Sequence, residues 1–289
     1  MTEPGGVMNI LHSKAYAKIN LGLDVTGVLD KGYHLVKMIM QTVDLYDDID
    51  YEIIDSGIEV SSDIQITGAP ADNLVYRAAD LLLNEFSING GIRIHITKRI
   101  PMAAGLAGGS SDAAATLKAV NILYDLGLSQ EELMRLGVKL GADIPYCLLG
   151  GTALAEGIGE VLTPLVKCPE CAILLAKPDI SVSTAYVYNN LQLDSVVHPD
   201  IDGIKKAIVS RDLSGMAALC GNVLESVTEK QYPVITDIKK AMLENGARTS
   251  LMSGSGPTVF GIFDDIYDAR RALPIVHELA RDCFAVTLI

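Results

Sequence analysis

The sequence has no tryptophan and only 4 phenylalanines among 289 residues, so its core must be built mostly from aliphatic side chains. Cysteine is sparse too. Cys147, Cys168, Cys171, Cys220 and Cys283 form an odd, scattered set that makes no disulfide framework. Cys168-Pro-Glu-Cys171 has metal or redox spacing, but no second Cys or His pair accompanies it, and it reads as two free thiols in a reducing compartment. Basic residues are in deficit: 23 Lys and Arg against 36 Asp and Glu leave a net charge of −13. That excludes a general nucleic-acid binder, which needs clustered cations. It does not exclude binding an anionic nucleotide through a helix N-terminus and a few lysines. The longest apolar stretch, Tyr146–Ala155, falls far short of the roughly 20 residues of a membrane span, so no membrane partner is expected. The glycine-rich start lacks the charged-then-apolar order of a signal peptide. Residues 1–7 are expected to be a disordered tail, with Met8 as an alternative start, and the location is expected to be cytoplasmic. Neither an internal repeat nor a low-complexity tract is present.

The remaining composition, 49% hydrophobic and 20% charged, is that of a packed globular protein. Its length suggests about two domains. Alternating or β-branched segments predict strands at 12–28, 36–45, 48–54, 57–67, 91–98, 171–176 and 282–288, with a strand–loop–strand at 248–263. Helices are expected at 73–86, capped by Asp72 or Asn73, from Ser110 to about Asp125, and from Ser129, whose Ser-Gln-Glu-Glu resembles a capping box. Further helices are expected near 183–192, 201–209, 213–220, 233–245 and 265–278. The pattern is α+β. A composition shift at Thr163–Pro169 suggests domains at 8–163 and 164–289.

The most informative segment runs from Lys98 through Pro101, Met102, Ala103, Ala104, Gly105, Leu106, Ala107, Gly108 and Gly109 to Ser110, Ser111 and Asp112. A strand ends, a glycine-rich loop follows, and an alanine-rich helix begins. Glycines let a backbone approach an anion closely, and the first N–H groups of a helix are unpaired and point at it. There is no Gly-Lys-Ser/Thr of a P-loop and no Gly-x-Gly-x-x-Gly. Local composition alone leaves open a capped helix without a ligand. Ala15-Tyr-Ala-Lys18-Ile-Asn20-Leu reads as a strand. Ala17, Ile19, Leu21, Leu23 and Val25 form its core face, with Lys18, Asn20, Gly22 and Asp24 on the other. By its residues alone, that second face reads as a solvated one. Asp143, in Gly141-Ala-Asp143-Ile-Pro145, sits in a turn entering an apolar run, where an acid is usually an N-cap.

Taken together, Pro101-x-x-x-Gly105-Leu-x-Gly-Gly-Ser-Ser-Asp112, Ala15-Tyr-Ala-Lys18-Ile-Asn20 and the C-terminal Ser253-Gly254-Ser255-Gly256-Pro257-Thr258 resemble, in order, the three motifs of the GHMP kinase superfamily. Its members include galactokinase, homoserine kinase, mevalonate kinase and phosphomevalonate kinase. The resemblance implies a two-lobed α+β fold, with an N-terminal ribosomal-protein-S5-like lobe and a C-terminal α/β sandwich lobe. It also implies ATP as phosphoryl donor and Mg²⁺ as its ion. Lys98, Asn73 and the loop from Pro101 to Ser111 would hold ATP, and Ser111 would contact the metal, with Glu156 a weaker candidate. Asp143 would take the proton of the attacking hydroxyl, beside Lys18. Gly32-Tyr33-His34 and Met40-Gln-Thr-Val-Asp-Leu-Tyr-Asp47 resemble one branch, whose acceptor is a cytidine-diphosphate-linked polyol of non-mevalonate isoprenoid synthesis. There Tyr33 would stack on cytosine and His34 would bond to it. Tyr188, Thr184, Asn20, Gly254 and Ser255 would complete the substrate site. A ring stacked on a base contributes about 1–3 kcal/mol. By themselves, Tyr33 and His34 read as a turn with a packed Tyr and a surface His. The chain departs from the branch in Val28-Leu-Asp-Lys, and in Ala103, Ala104 and Ala107, where glycine is usual. A monomer or homodimer is expected, and the rival expectations are a kinase of another alcohol and a non-catalytic nucleotide binder.

Overall fold

The computed structural model describes residues 9–29, 33–64 and 70–289; the expected tail at 1–7, Gly32 and the end of the expected strand 57–67 lie outside these. In chain order the elements are β1 (Ile10–Val28), β2 (His34–Ile54), β3 (Gly57–Ser62), α1 (Leu74–Glu85), β4 (Gly91–Thr97), α2 (Gly108–Leu123), α3 (Gln130–Gly137) and α4 (Ile144–Leu149). Then come β5 (Thr152–Glu156), β6 (Val161–Pro164), β7 (Ala172–Lys177), α5 (Thr184–Asn189), α6 (Ile201–Val209), α7 (Leu213–Leu219) and β8 (Gly221–Asn222). The chain closes with α8 (Glu225–Gln231), α9 (Val234–Glu244), β9 (Thr249–Met252), β10 (Val259–Phe263), α10 (Ile266–His277) and β11 (Asp282–Thr287). No described helix is long and apolar enough to cross a membrane.

The chain forms two compact units. The first takes the chain through Tyr16, then Tyr46–Ile100 and Gly108–Leu149; the second takes Ala17–Leu45, Pro101–Ala107 and Gly150–Ile289. In the first unit, β3 runs parallel to β4, and β4 runs antiparallel to the Asp48–Ile54 end of β2. β4 alternates as a one-sided strand should: Ile92, Ile94 and Ile96 point inward while Arg93 and His95 are exposed. These isoleucines meet Val75, Ala78 and Leu82 of α1, Ala113, Ala114 and Leu117 of α2, and Ile144 and Leu148 of α4. The small alanines let α2 approach closely, and each buried isoleucine contributes roughly 1.5–3 kcal/mol.

In the second unit, Met38–Gln41 of β2 pairs antiparallel with β5, and Gly22 and Leu23 of β1 pair parallel with β8. A separate antiparallel sheet has the order β11-β7-β10-β9.

Two expected strands, 36–45 and 48–54, are one continuous strand. At their junction Asp47 is buried and fully engaged, its Oδ1 accepting the N–H groups of Arg99 (2.5 Å) and Ile100 (2.8 Å). The apolar run after Asp143 opens as helix α4, with Pro145 in its first turn, where a missing N–H costs nothing. Of Asp72 and Asn73, Asn73 is the cap, accepting Val75 N–H at 2.8 Å. The capping box at Ser129 is present in full.

Candidate active site

The second unit gathers both glycine loops around the Lys18 strand. Ala103, Gly105 and Ala107 have φ of +49°, +74° and +57°. Gly105 has no alternative: a Cβ there would lie 2.3 Å from the Ser253 carbonyl oxygen. Three of the loop's carbonyls are taken up by protein donors. Ala104 O accepts Thr258 N–H (3.3 Å), Gly105 O accepts the Ser253 hydroxyl (3.0 Å), and Leu106 O accepts Lys18 N–H (3.1 Å). With these three acceptors occupied, the loop is suited to offering donors to an anion. Ala103 and Ala107 hold the left-handed backbone, at a cost of about 1–2 kcal/mol each.

The second loop is held as firmly. Asn222 Nδ2 donates to the carbonyls of Met252 and Gly254, each at 2.8 Å, and Glu225 accepts Met252 N–H at 2.6 Å. Gly254, at φ +59°, faces the catalytic candidates: a methyl on it would lie 3.6 Å from Lys18 Nζ and 3.6 Å from Asn20 Oδ1. Lys18 Nζ donates to Asn20 Oδ1 at 2.8 Å, and Asn20 Nδ2 reaches Met38 Sδ at 3.2 Å. Lys18 is 5% exposed and Asn20 1%. That face of β1 is therefore not a solvated one. A cation and an amide are buried together, a costly arrangement that usually marks chemistry.

The same unit brings other expected residues together. His34 packs on Tyr188 with ring centroids 4.9 Å apart and planes at 50°. Thr184, opening α5, shares a 2.8 Å hydrogen bond with Ser255. Tyr33 is 59% exposed, leaving its ring face available for stacking.

In the first unit, α2 begins at Gly108, directly after the first loop. Gly109 is exposed, Ser110 half-buried and Ser111 buried. The Ser111 hydroxyl donates to the Tyr16 carbonyl at 2.5 Å, so what it can offer a cation is its lone pairs. Lys98 uses two of its three donors on carboxylates, Asp47 at 2.5 Å and Asp112 at 2.7 Å. Asp112 Oδ1 is buried with no partner. Burial pushes the Asp112 carboxyl up to about 7; Lys98 opposes that shift and the nearby Asp47 charge adds to it. Burial works to lower the Lys98 pKa, but its two carboxylates prevail and raise it. Asp143 occupies the turn before α4, half-buried, with its carbonyl receiving Cys147 N–H at 3.0 Å. Lys18 and Asp143 thus come from different compact units.

Cys168 and Cys171 are buried free thiols, pushed up by burial to about 11 and about 12, and are neutral, poor nucleophiles. Among the described residues, no group of three or more His, Cys, Asp or Glu could hold a metal. Sequence reasoning gave no role to Asp47, Asp112, Asn222 or Glu225. The first two stand inside quoted motifs; the last two carry no local signal.

Residues 73–151 match the GHMP kinases N-terminal domain and residues 204–280 the GHMP kinases C-terminal domain. A 4-diphosphocytidyl-2-C-methyl-D-erythritol kinase of Lachnoclostridium phytofermentans is 54% identical, covering 92% of each chain. One from Geobacillus sp. (strain WCH70) is 49% identical, covering 96% of each. A crystal structure of 4-(cytidine 5'-diphospho)-2C-methyl-D-erythritol kinase superposes with a TM-score of 0.84 at 34% identity, covering 96% of this chain and 99% of that one. Extended identity over nearly the full length, joined to three motifs in order, establishes that the chain belongs to the GHMP kinase family, among its 4-diphosphocytidyl-2-C-methyl-D-erythritol kinases.

Proposed function

We propose that this chain moves the γ-phosphoryl group of ATP onto the 2-hydroxyl of 4-diphosphocytidyl-2-C-methyl-D-erythritol in the cytoplasm. The observation that carries this reading is the assembly, within one unit, of the buried Lys18–Asn20 pair, two interlocked glycine loops and the His34–Tyr188 ring pair. Phosphoryl transfer asks mainly for positioning and charge neutralisation. The loop from Pro101 to Ala107 and the start of α2 supply backbone donors for the ATP phosphates. Lys98 borders that region in sequence and acts there through the two carboxylates it holds, and Asn73 caps α1, whose Leu74 a Cβ on Gly109 would meet at 3.8 Å. Lys18 supplies positive charge for the developing anion, and Asn20 fixes its ammonium. Asp143 accepts the proton of the attacking hydroxyl. His34 and Tyr33 take the cytosine, Tyr188 packs behind His34, and Thr184, Ser255 and Gly254 line the acceptor side.

Mg²⁺ fits as an ion carried with the nucleotide, because it keeps water and needs few protein ligands. Ser111 would hold it through the lone pairs its proton leaves free. The ion would neutralise charge on the β- and γ-phosphates.

The test is an ADP-release assay with the cytidyl substrate, with and without Mg²⁺, against a panel including mevalonate and homoserine. Turnover confined to the cytidyl alcohol and dependent on Mg²⁺ is expected. Equal turnover of a cytidine-free alcohol would overturn the reading. Asp143→Asn should lower kcat about 10²- to 10⁴-fold with the KM for ATP nearly unchanged. Near-normal turnover in that variant removes Asp143 from the mechanism.

A further inference from the structure

The buried polar row of β1 does not stop at Lys18 and Asn20. It continues to Asp24, which is 9% exposed. Asp24 Oδ1 lies 2.6 Å from His198 Nδ1, and the other ring nitrogen, Nε2, lies 3.2 Å from the Leu193 carbonyl oxygen. A carboxylate and a carbonyl can only accept. A neutral imidazole has a single N–H and would leave one of these contacts as lone pair against lone pair. Donation at both nitrogens requires the imidazolium.

His198 lies in the strap of residues 190–200 that joins α5, with Tyr188, to α6. Both ends of the strap are fixed. Thr184 of α5 bonds to Ser255, and Ile201 and Ile204 of α6 press on Gly22, where a Cβ would meet them at 2.7 and 2.6 Å. Asp202 of α6 pairs with Lys37 of β2 at 2.8 Å, three residues from His34. Between these anchors, His198 is the link from the strap to β1.

We propose that His198, as an imidazolium bridging Asp24 and the Leu193 carbonyl, is a positioning residue that holds α5 and its Tyr188 against His34 for the cytidine-bearing substrate. This rests on the functional reading above. The charged group facing the ring from β1 is Asp24. From α6, Asp200 is turned to its own helix, capping Gly203 N–H at 2.8 Å, and Asp202 is neutralised by Lys37. The hydrogen bond to Asp24 also raises the imidazole above its ordinary 6.5, against a small desolvation cost. The clasp is therefore closed below 6.5 and opens as pH rises through the raised value.

Two measurements on the full chain test this. In side-chain ¹⁵N NMR, His198 should carry protons on both nitrogens at pH 6 and titrate above 6.5. Asp24→Asn should move that midpoint down, and His198→Gln should shift the His34 ring resonances, because the Tyr188 ring current moves with α5. A His198 ring singly protonated at pH 6, or His34 resonances indifferent to His198→Gln, overturns the proposal whether or not the enzyme accepts the cytidyl substrate. In kinetics, KM for the cytidyl substrate should rise about fivefold or more through the His198 titration while KM for ATP stays flat. His198→Gln should show the raised KM at every pH. His198→Arg, a permanently charged double donor, should restore the low KM and remove the pH dependence. Parallel changes in both KM values would reduce His198 to a purely structural role.

Discussion

Lys98 brings a charge into an interior that supplies it with two carboxylates, and the three groups hold the strand β4 exit, β2 and the first turn of α2 together. Breaking such a set by removing one member costs far more than the set contributes, because the orphaned charges stay buried. Lys98→Met should therefore lower unfolding free energy by about 3–5 kcal/mol, read from urea denaturation. Without the ammonium, which opposes the rise, the Asp112 carboxyl would stay above its unfolded value. Its stabilising contribution is then complete below that value and lost as pH rises through the folded one, so the deficit should widen from pH 5 to pH 8. Even in the native chain, Asp112, raised to about 7, makes stability decline gently over that range. Little of this could be seen in the sequence. Asp47 and Asp112 are ordinary acids until a fold places one lysine between them. Lys18 and Asn20 were legible because their spacing of two puts them on one face of a strand, although only the structure shows that face to be buried.

Elements whose signals are local were the easiest to read. Helix α3 announces itself through Ser129 and Glu132, and both halves of its capping box form, Glu132 Oε2 accepting Ser129 N–H at 2.9 Å. Ser129→Ala should cost about 1 kcal/mol in the denaturation midpoint and leave kcat unchanged, since the cap touches nothing in the site. Elements whose existence depends on distant partners were missed. β8 is two residues long and exists because Gly221 and Asn222 find Gly22 and Leu23 of β1. From that position Asn222 fixes the second glycine loop, a role without any periodic trace. Strand β2 was read as two for the same reason: its acidic middle is satisfied by groups from the far end of β4.

At the level of the whole molecule, the charge balance sets how substrates arrive. A net charge of −13 repels both ATP and a cytidine diphosphate ester, and the local donors act only at short range. Raising ionic strength from about 10 mM to 150 mM shortens the screening length from about 30 to 8 Å. It should increase kcat/KM for both substrates, opposite to the behaviour of a basic nucleotide binder. The order of the two family domains was legible from the motifs, but the way the chain weaves was not. It leaves one compact unit for the other after Tyr16, Leu45, Ile100, Ala107 and Leu149. A fragment of residues 164–289 keeps all four strands of the β11-β7-β10-β9 sheet but loses Gly105 and Ala104, which receive Ser253 and Thr258. Its amides at 252–258 should exchange hydrogen much faster than in the full chain, as hydrogen-exchange mass spectrometry would show.

That weaving also limits how the enzyme can be re-engineered. No single cut separates the two units, because a piece ending at Leu149 holds the whole first unit but carries Ala17–Leu45 and Pro101–Ala107 of the second with it, so shuffling halves between homologous enzymes would mix sequence inside the second body instead of exchanging bodies. Grafting a new acceptor specificity would then call for three separate inserts, Ala17–Leu45, Pro101–Ala107 and the stretch from Gly150 onward, transplanted together.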